Sequence, residues 1–402
     1  MNRKQLIIIV VLGLVLGGVG IYLNKKKTES FSNTAKIERE KLLGDFPIND
    51  IAQITVSQST NSAHLFKLDG WSVKERNNYP ADVSSIVEFA RKLWDLQAAQ
   101  SQKIGESQLS RMELLPPDKG GTNSGTLVEL KSEDGKLIRS LLLGKPSMRG
   151  DGGNDAFGGG SWPNGRWIYL PDKPGTAYLV SETFSDVAPK PEHWMSKDFF
   201  KVEKPESIAV TFPDSTNSWT LTRETESGQW KLADAKPDEE LDSSKVSSMS
   251  YAFSSPSFTD VAIDVPAGQE GFDNPDSIVI KTFDGFEYTV KVGSKTNDDY
   301  FLNVSVAADL PAQRKPGADE KPEDKEKLDK EFSETQSKFK DKLAQEKKFE
   351  KWTYLVPSWS VDSVLKKRSE LLAEKKAEAK SEAASDESGT EKADEEVGES
   401  TN

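Results

Sequence analysis

The side chains able to do chemistry are few. The chain has two histidines, His64 and His193, and no cysteine. Without cysteine there are no disulfides, cysteine nucleophiles, thiolate metal sites or iron–sulfur clusters, and two imidazoles are too few for a multi-histidine metal centre. The histidines lie far apart, and His64 alternates with apolar neighbours as a strand residue would. Asp298-Asp299 is an adjacent acid pair, but neighbours on a strand point to opposite faces, which suits shared acid/base work poorly. Gly144-Lys145-Pro146-Ser147 and Gly293-Ser294-Lys295-Thr296 superficially resemble a phosphate loop. Both lack its upstream glycine and sit at a strand exit, whereas a phosphate loop opens a helix.

One glycine-rich stretch, Met148–Gly165, holds Asp151, Asn154 and Asp155. Oxygen ligands at such spacing can bind calcium, but the glutamate that closes an EF-hand is missing. A flexible hairpin loop is the plainer reading. Trp162 and Trp167 flank the stretch. An exposed tryptophan beside polar groups can stack on a sugar ring or rest at a lipid interface. Trp167 falls in a strand pattern and reads as core; Trp162 reads as the exposed contact. Trp162, Asp151 and Asp155 are therefore the candidate ligand contacts. No G-x-S-x-G or HExxH motif appears, and no catalytic, cofactor-binding or metal-ligating residue is assigned.

The elements that position these residues follow from the rest of the chain. Its 402 residues allow two to three domains, at roughly 100–200 residues each. A net charge of −13 gives no general electrostatic footprint for nucleic acid, so none is assigned as a partner.

The N-terminus carries an 18-residue run without charge, Leu6 to Leu23, LIIIVVLGLVLGGVGIYL. Its apolar contacts are Leu6, Ile7, Ile8, Ile9, Val10, Leu12, Leu14, Leu16, Ile21 and Leu23. As a helix rising about 1.5 Å per residue, it just spans a hydrocarbon core of roughly 30 Å. A cleaved signal peptide has a shorter apolar core and a small-residue cleavage site. The run reads as an uncleaved signal anchor, single-pass, in contact with membrane lipid. Lysines and arginine flank both ends, so charge does not decide orientation. The short leading segment favours N-inside and C-outside. Gly13 and Gly17 form a small-xxx-small spacing that lets membrane helices approach.

The body reads as an internal duplication. Ile51–Val56 resembles Ile208–Phe212, and Trp71-Ser72-Val73 resembles Trp230-Lys231-Leu232. Thr126–Leu130 resembles Ser277–Lys281, Leu142–Lys145 resembles Lys291–Ser294, and Tyr178-Leu179-Val180 resembles Tyr354-Leu355-Val356. Each copy opens with short β-branched and aromatic runs that read as strands. In copy one a helix follows, N-capped by Asp82, with Val83, Ile86, Val87, Ala90, Leu93 and Trp94 as its core stripe. Asp134-Gly135 and Asp284-Gly285 read as hairpin turns at equivalent places. Short helices near Phe184–Val187 and over Val361–Leu372 close the copies. The expected fold is α+β: an N-terminal transmembrane helix, then two tandem repeats of a strand-rich unit with one main helix each. A charged helical insertion and a disordered tail complete it.

The expected divisions are 1–27 for the anchor, 28–44 for a linker, 45–200 for repeat one, 201–373 for repeat two and 374–402 for the tail. The insertion, 312–350, reads as a solvated helix with favourable i, i+4 pairs such as Glu326–Lys330. Leu328, Phe332, Phe339 and Leu343 form a thin stripe that can dock on the body or, as in a coiled coil, on a partner. The tail has ten acids, four bases and no aromatic residue, which is a disordered composition.

Taken in order, the anchor, Phe46-Pro47, the Trp71 strand, the Ala81-Asp82 helix ending Leu93-Trp94-Asp95-Leu96, the strand reaching Gly144, and Tyr178-Leu179-Val180 resemble the bacterial domain of unknown function 4340 family. Copy two keeps Trp230, Gly293 and Tyr354-Leu355-Val356, so the resemblance covers roughly 42–372. It implies a membrane-anchored protein encoded beside gliding-motility-type ABC transporter genes, with no established catalytic residues. The expectation is a non-enzymatic, periplasmic accessory protein of the bacterial inner membrane, a scaffold or partner of ABC-type transporter subunits or a cell-envelope complex. The alternatives are an envelope glycan-binding module using Trp162 and the glycine-rich loop, and a carboxylate-based hydrolase.

Overall fold

The computed structural model describes residues 41–149, 162–237, 239–316 and 320–374. The apolar segment 6–23, Asp151, Asp155 and the tail beyond Glu374 lie outside the described residues. Among the described residues, no helix is long and apolar enough to cross a membrane.

The expected α+β layering, with one main helix per repeat, is overturned. The chain is dominated by two large antiparallel sheets. The first has nine strands: β1 Gln53–Ser57, β2 Ser62–Lys67, β3 Trp71–Val73, β4 Tyr79–Pro80, β5 Ala98–Lys103, β6 Thr126–Lys131, β7 Leu137–Arg149, β8 Trp162–Tyr169 and β9 Thr176–Val180. The second has eight: β10 Pro205–Thr211, β11 Trp219–Thr222, β12 Lys231–Leu232, β13 Asp260–Val261, β14 Asp276–Thr282, β15 Phe286–Thr296, β16 Asp299–Ala308 and β17 Tyr354–Pro357. Their spatial orders are β4-β3-β2-β1-β6-β7-β8-β9-β5 and β12-β11-β10-β14-β15-β16-β17-β13. Apart from β4, which has no counterpart among the described residues of the second sheet, the two orders coincide strand for strand.

Period-two alternation builds these strands. Ile54, Val56, Ala63, Leu65, Val128, Leu130, Leu141 and Leu143 turn inward and are almost fully buried. Buried side chains of both sheets join in one continuous core. Asp134-Gly135 and Asp284-Gly285 turn β6 into β7 and β14 into β15, with the glycines at φ 80° and 84°. Only glycine adopts such angles without strain.

Pairing corrects two of the five repeat matches. Ile54 faces Leu130, and Ile208 faces Ile280, so Ile54 rather than Ile51 is the counterpart of Ile208. Val128 faces Leu141, and Ile278 faces Val290, which makes Ile278 rather than Val279 the counterpart of Val128. A one-residue slip would turn every core side chain of that strand outward.

The expected helices fare unevenly. Val83–Trp94 is helical, and the Asp82 carboxylate accepts from the Ser84 and Ser85 amides. Its buried residues are Ile86, Phe89, Ala90 and Leu93, while Val83 and Val87 are exposed. Among the described residues, copy two has no equivalent helix; Ser243–Val246 and a 3-10 turn over Ser247–Tyr251 take its place. This segment is rich in serine, which favours caps and turns over helix interiors. Phe184 sits in a left-handed turn at φ 49° instead of a helix. Val361–Leu372 is broken into the short helices Ser358–Asp362 and Arg368–Leu371.

The insertion forms one helix, Lys325–Glu346. Its C-terminal end docks on the second sheet. Phe339 meets the Phe286 ring edge-on at 5.7 Å. The buried Glu346 carboxylate accepts from the Lys201 amide at 3.0 Å, the Tyr288 hydroxyl at 2.9 Å and Lys342 Nζ at 2.6 Å. Leu328 and Phe332 are not among the residues packed on the core. The described end of the chain is tied back by Arg368, which binds both oxygens of Asp234 at 2.9 and 3.0 Å and Glu239 at 2.7 Å.

Candidate functional site

The residues that the fold gathers from furthest apart lie where the two sheets meet. After β3 the chain makes a 3-10 turn over Lys74–Arg76, and Asn77 and Asn78 take left-handed φ values of 52° and 63°. Asparagine tolerates that region, where most side chains are strained. The turn brings Arg76 against the start of β13 and sends Tyr79 inward. Arg76 Nε and Nη2 donate to the two oxygens of Asp260 at 2.6 and 2.7 Å, and Nη2 also donates to Glu192 at 3.0 Å. A planar fork bonded to a planar carboxylate fixes direction as well as distance. Burial acts to lower the Arg76 pKa, but the carboxylates of Asp260, Glu192 and Glu75 together raise it overall.

Beside the pair, Lys197 donates to the Thr259 carbonyl at 3.1 Å and lies over the Phe258 ring at 4.9 Å. Burial lowers its pKa, against the pull of Asp260 and Glu192.

Beneath these charges lies a cluster of rings. Tyr79, from the first sheet, packs edge-on against Trp352 at 4.7 Å, Phe258 at 5.9 Å and Tyr354 at 6.3 Å. Phe199, in the connector between the sheets, joins Phe258 at 5.0 Å and Tyr354 at 4.6 Å. Each favourable ring pair adds about 0.5–1.5 kcal/mol beyond the area it buries. Burial pushes the Tyr79 hydroxyl up to about 12, moderated by the Tyr354 hydroxyl. Burial also raises Tyr354, with Tyr79 adding to the shift. The connector is stitched to the first sheet as well: the Asp82 amide donates to Trp194 at 2.8 Å and the Ser196 amide to Pro80 at 2.9 Å.

His64 lies close by in sequence terms. Its ring Nδ1 contacts Glu75, whose other oxygen accepts from the His64 amide at 3.1 Å. Glu75 precedes Arg76, so one turn supplies both partners. With Gln53, Thr55, Phe66, Lys74 and Asn78, His64 lines an open cleft of about 330 Å³. His193 is used differently: its Nε2 bonds the Asp186 carbonyl at 2.6 Å.

The other sequence candidates are dispersed. Trp162, at the start of β8, is 63% exposed. Trp167 packs into a small second core with Leu114, Leu142 and Ala177. Asp299 accepts from the Thr259 hydroxyl at 2.7 Å. The two phosphate-loop lookalikes lie inside β7 and β15, at matching register shifts between Leu143 and Pro146 and between Val292 and Lys295. A Cβ on Gly144 would stand 2.5 Å from the Met112 carbonyl, and one on Gly293 would stand 2.0 Å from the Glu270 carbonyl. These glycines make room for crossing segments. Among the described residues, no group of three or more acids or histidines is placed to hold a metal.

Reasoning from sequence missed the Arg76–Asp260–Glu192 cluster. Arg76 looks like an ordinary turn residue, and nothing local marks Asp260 as its partner. The Asn77-Asn78 pair was the one available signal, because it announces a turn that re-aims its neighbours.

No curated protein and no solved structure matches the chain. A family model described as Domain of unknown function (DUF4340) matches residues 71–275, a span that includes Arg76, Tyr79, Glu192 and Asp260. That span is just over half of the chain, and the chain belongs to this family.

Proposed function

We propose that the protein is a non-catalytic, extracytoplasmic scaffold. In this reading it is held at the bacterial inner membrane by the apolar segment 6–23. Its two sheets are presented as one body to subunits of an ABC-type transporter or envelope complex. The observation that carries the reading is the joint itself. The charged groups that converge there, Arg76, Asp260 and Glu192, bond to one another, and the rings below them interlock the sheets. Such an arrangement suits holding a surface in a fixed shape. The transporter as partner rests on what the family resemblance implies.

The test is purification of the tagged full chain from its native membrane in mild detergent. Co-purification of permease or ATPase subunits supports the proposal, and recovery of the protein alone counts against it.

A further inference from the structure

A second feature lies away from the joint, on the second sheet's unit. Tyr251 and Trp359 are 74% and 69% exposed, and both line one cleft of about 180 Å³. Single exposed rings are common on protein surfaces, but two on one cleft are not scattered exposure. Each ring stands on a rigid base. Tyr251 ends a 3-10 turn whose Met249 is buried, and Trp359 lies in a short helix whose Val361 is fully buried. Between them Phe253 is held at φ 52°, a left-handed conformation that is costly for a bulky side chain. Its carbonyl accepts from the Val202 amide at 2.9 Å.

The rest of the lining is rich in hydroxyls, including Ser248, Ser254, Ser360 and Ser363. Ser360 Oγ is buried and has no hydrogen-bond partner among the described residues. A buried polar atom without a partner costs free energy unless something completes it. No charged side chain lines the cleft among the described residues.

We infer that this cleft binds a neutral saccharide. The C–H face of a pyranose ring is apolar and stacks on aromatic rings, while its edge carries hydroxyls. Serine hydroxyls both donate and accept, so they match sugar hydroxyls in either sense. Ser360, whose hydroxyl has no partner among the described residues, is one of the residues that line the cleft. A single-stranded nucleic acid also stacks on rings, but it requires cations for its phosphates, and the lining supplies none. A peptide added as a strand needs a free sheet edge, whereas this cleft lies between two helical turns. The site is distinct from Trp162 and does not depend on the scaffold reading.

The experiment uses the full-length chain in a detergent without a sugar headgroup. Chitotetraose, cellotetraose and maltotetraose are titrated by calorimetry and by tryptophan fluorescence. At least one of them gives saturable binding with a blue-shifted emission. Trp359→Ala and Tyr251→Ala each weaken it by about tenfold or more, Ser360→Ala weakens it less, and Trp162→Ala leaves it unchanged. Both rings are exposed, so circular dichroism and the melting midpoint of these variants match the parent. The inference is overturned if none of the three sugars binds at about 10 mM. It is also overturned if binding survives loss of both rings, or if the cleft takes a peptide in place of all three sugars.

Discussion

Arg76 and Asp260 are 184 residues apart in sequence and share two hydrogen bonds of 2.6 and 2.7 Å. Removing the guanidinium leaves Asp260 and Glu192 without the cation that bonds to both, and only Lys197 nearby to offset their charge. Arg76→Ala is expected to lower stability by about 1.5–3 kcal/mol, the scale of losing charged hydrogen bonds. Arg76→Lys restores only part of this, because an ammonium cannot grip both oxygens in one plane. Urea unfolding followed by tryptophan fluorescence measures both. A midpoint equal to the parent's in Arg76→Ala would show that the pair does not hold the sheets together.

The ring cluster predicts a loss of stability in alkali. Tyr79 ionises near 10 when unfolded and at about 12 when folded, chiefly because it is buried. The folded state therefore keeps its proton longer than the unfolded state. Stability is fully present below pH 10 and declines as pH rises toward 12, by about 2–3 kcal/mol for a shift of this size. Tyr354 and Tyr288 are raised too and act with the same sign. The urea midpoint should be flat to pH 10 and then fall, with a shallower fall in Tyr79→Phe. A fall of unchanged steepness in that variant would remove Tyr79 as its source.

The twin glycines predict a graded response to one methyl group. Gly293→Ala forces a Cβ to 2.0 Å from a backbone carbonyl, and Gly144→Ala sets one 2.5 Å from both a carbonyl and the Leu114 side chain. Overpacking of this kind costs about 1–3 kcal/mol. Gly293→Ala should be the worse of the two, because its Cβ meets a backbone carbonyl at 2.0 Å against 2.5 Å at Gly144. Gly70→Ala, where nothing lies within 4 Å, is the control and should unfold with the parent.

Acid should release the C-terminal turn. The Arg368 guanidinium, helped by the Lys236 amide, lowers the Glu239 carboxyl to about 2 from an ordinary value of 4.5. Its contribution is present above pH 4.5 and is lost as pH falls toward 2. Trp219 donates to the Lys366 carbonyl at 2.7 Å and reports on the same segment. Its fluorescence should change over that interval, and Glu239→Gln should abolish the change. An acid transition that persists in the variant would assign it to other carboxylates.

What the sequence disclosed follows the range of the interactions. Alternation marks β1, β2 and β6, and Asp-Gly marks the hairpin turns, because these depend on neighbours a few residues away. The second unit's helix was expected by symmetry with Val83–Trp94, but Ser243–Tyr251 lacks the apolar stripe to form it. Repeat register was legible at Tyr178 and Tyr354, where the side chains are distinctive. It slipped at Ile51 and Val279, where several apolar residues fit equally well. The joint was not legible, because its two halves are ordinary polar residues whose meaning comes only from being placed together. Tyr251 and Trp359 escaped notice for the same reason, since they share a cleft only after folding.

The placement of Tyr354 also sets a birth order. Tyr79 belongs to the first strands to leave the ribosome, while Trp352 and Tyr354, which cover it, come after the charged helix and nearly end the described chain. At synthesis rates of 5–20 residues per second, roughly 15–55 s separate the two. Until that interval ends, Tyr79 lacks Trp352 and Tyr354, and of the rings packed on it only Phe258 has been made. A nascent chain of this kind is open to premature pairing with a neighbour on the same message. Its last strand acts as a closing stitch, and truncation before residue 352 would leave the wound open however well the first sheet had folded.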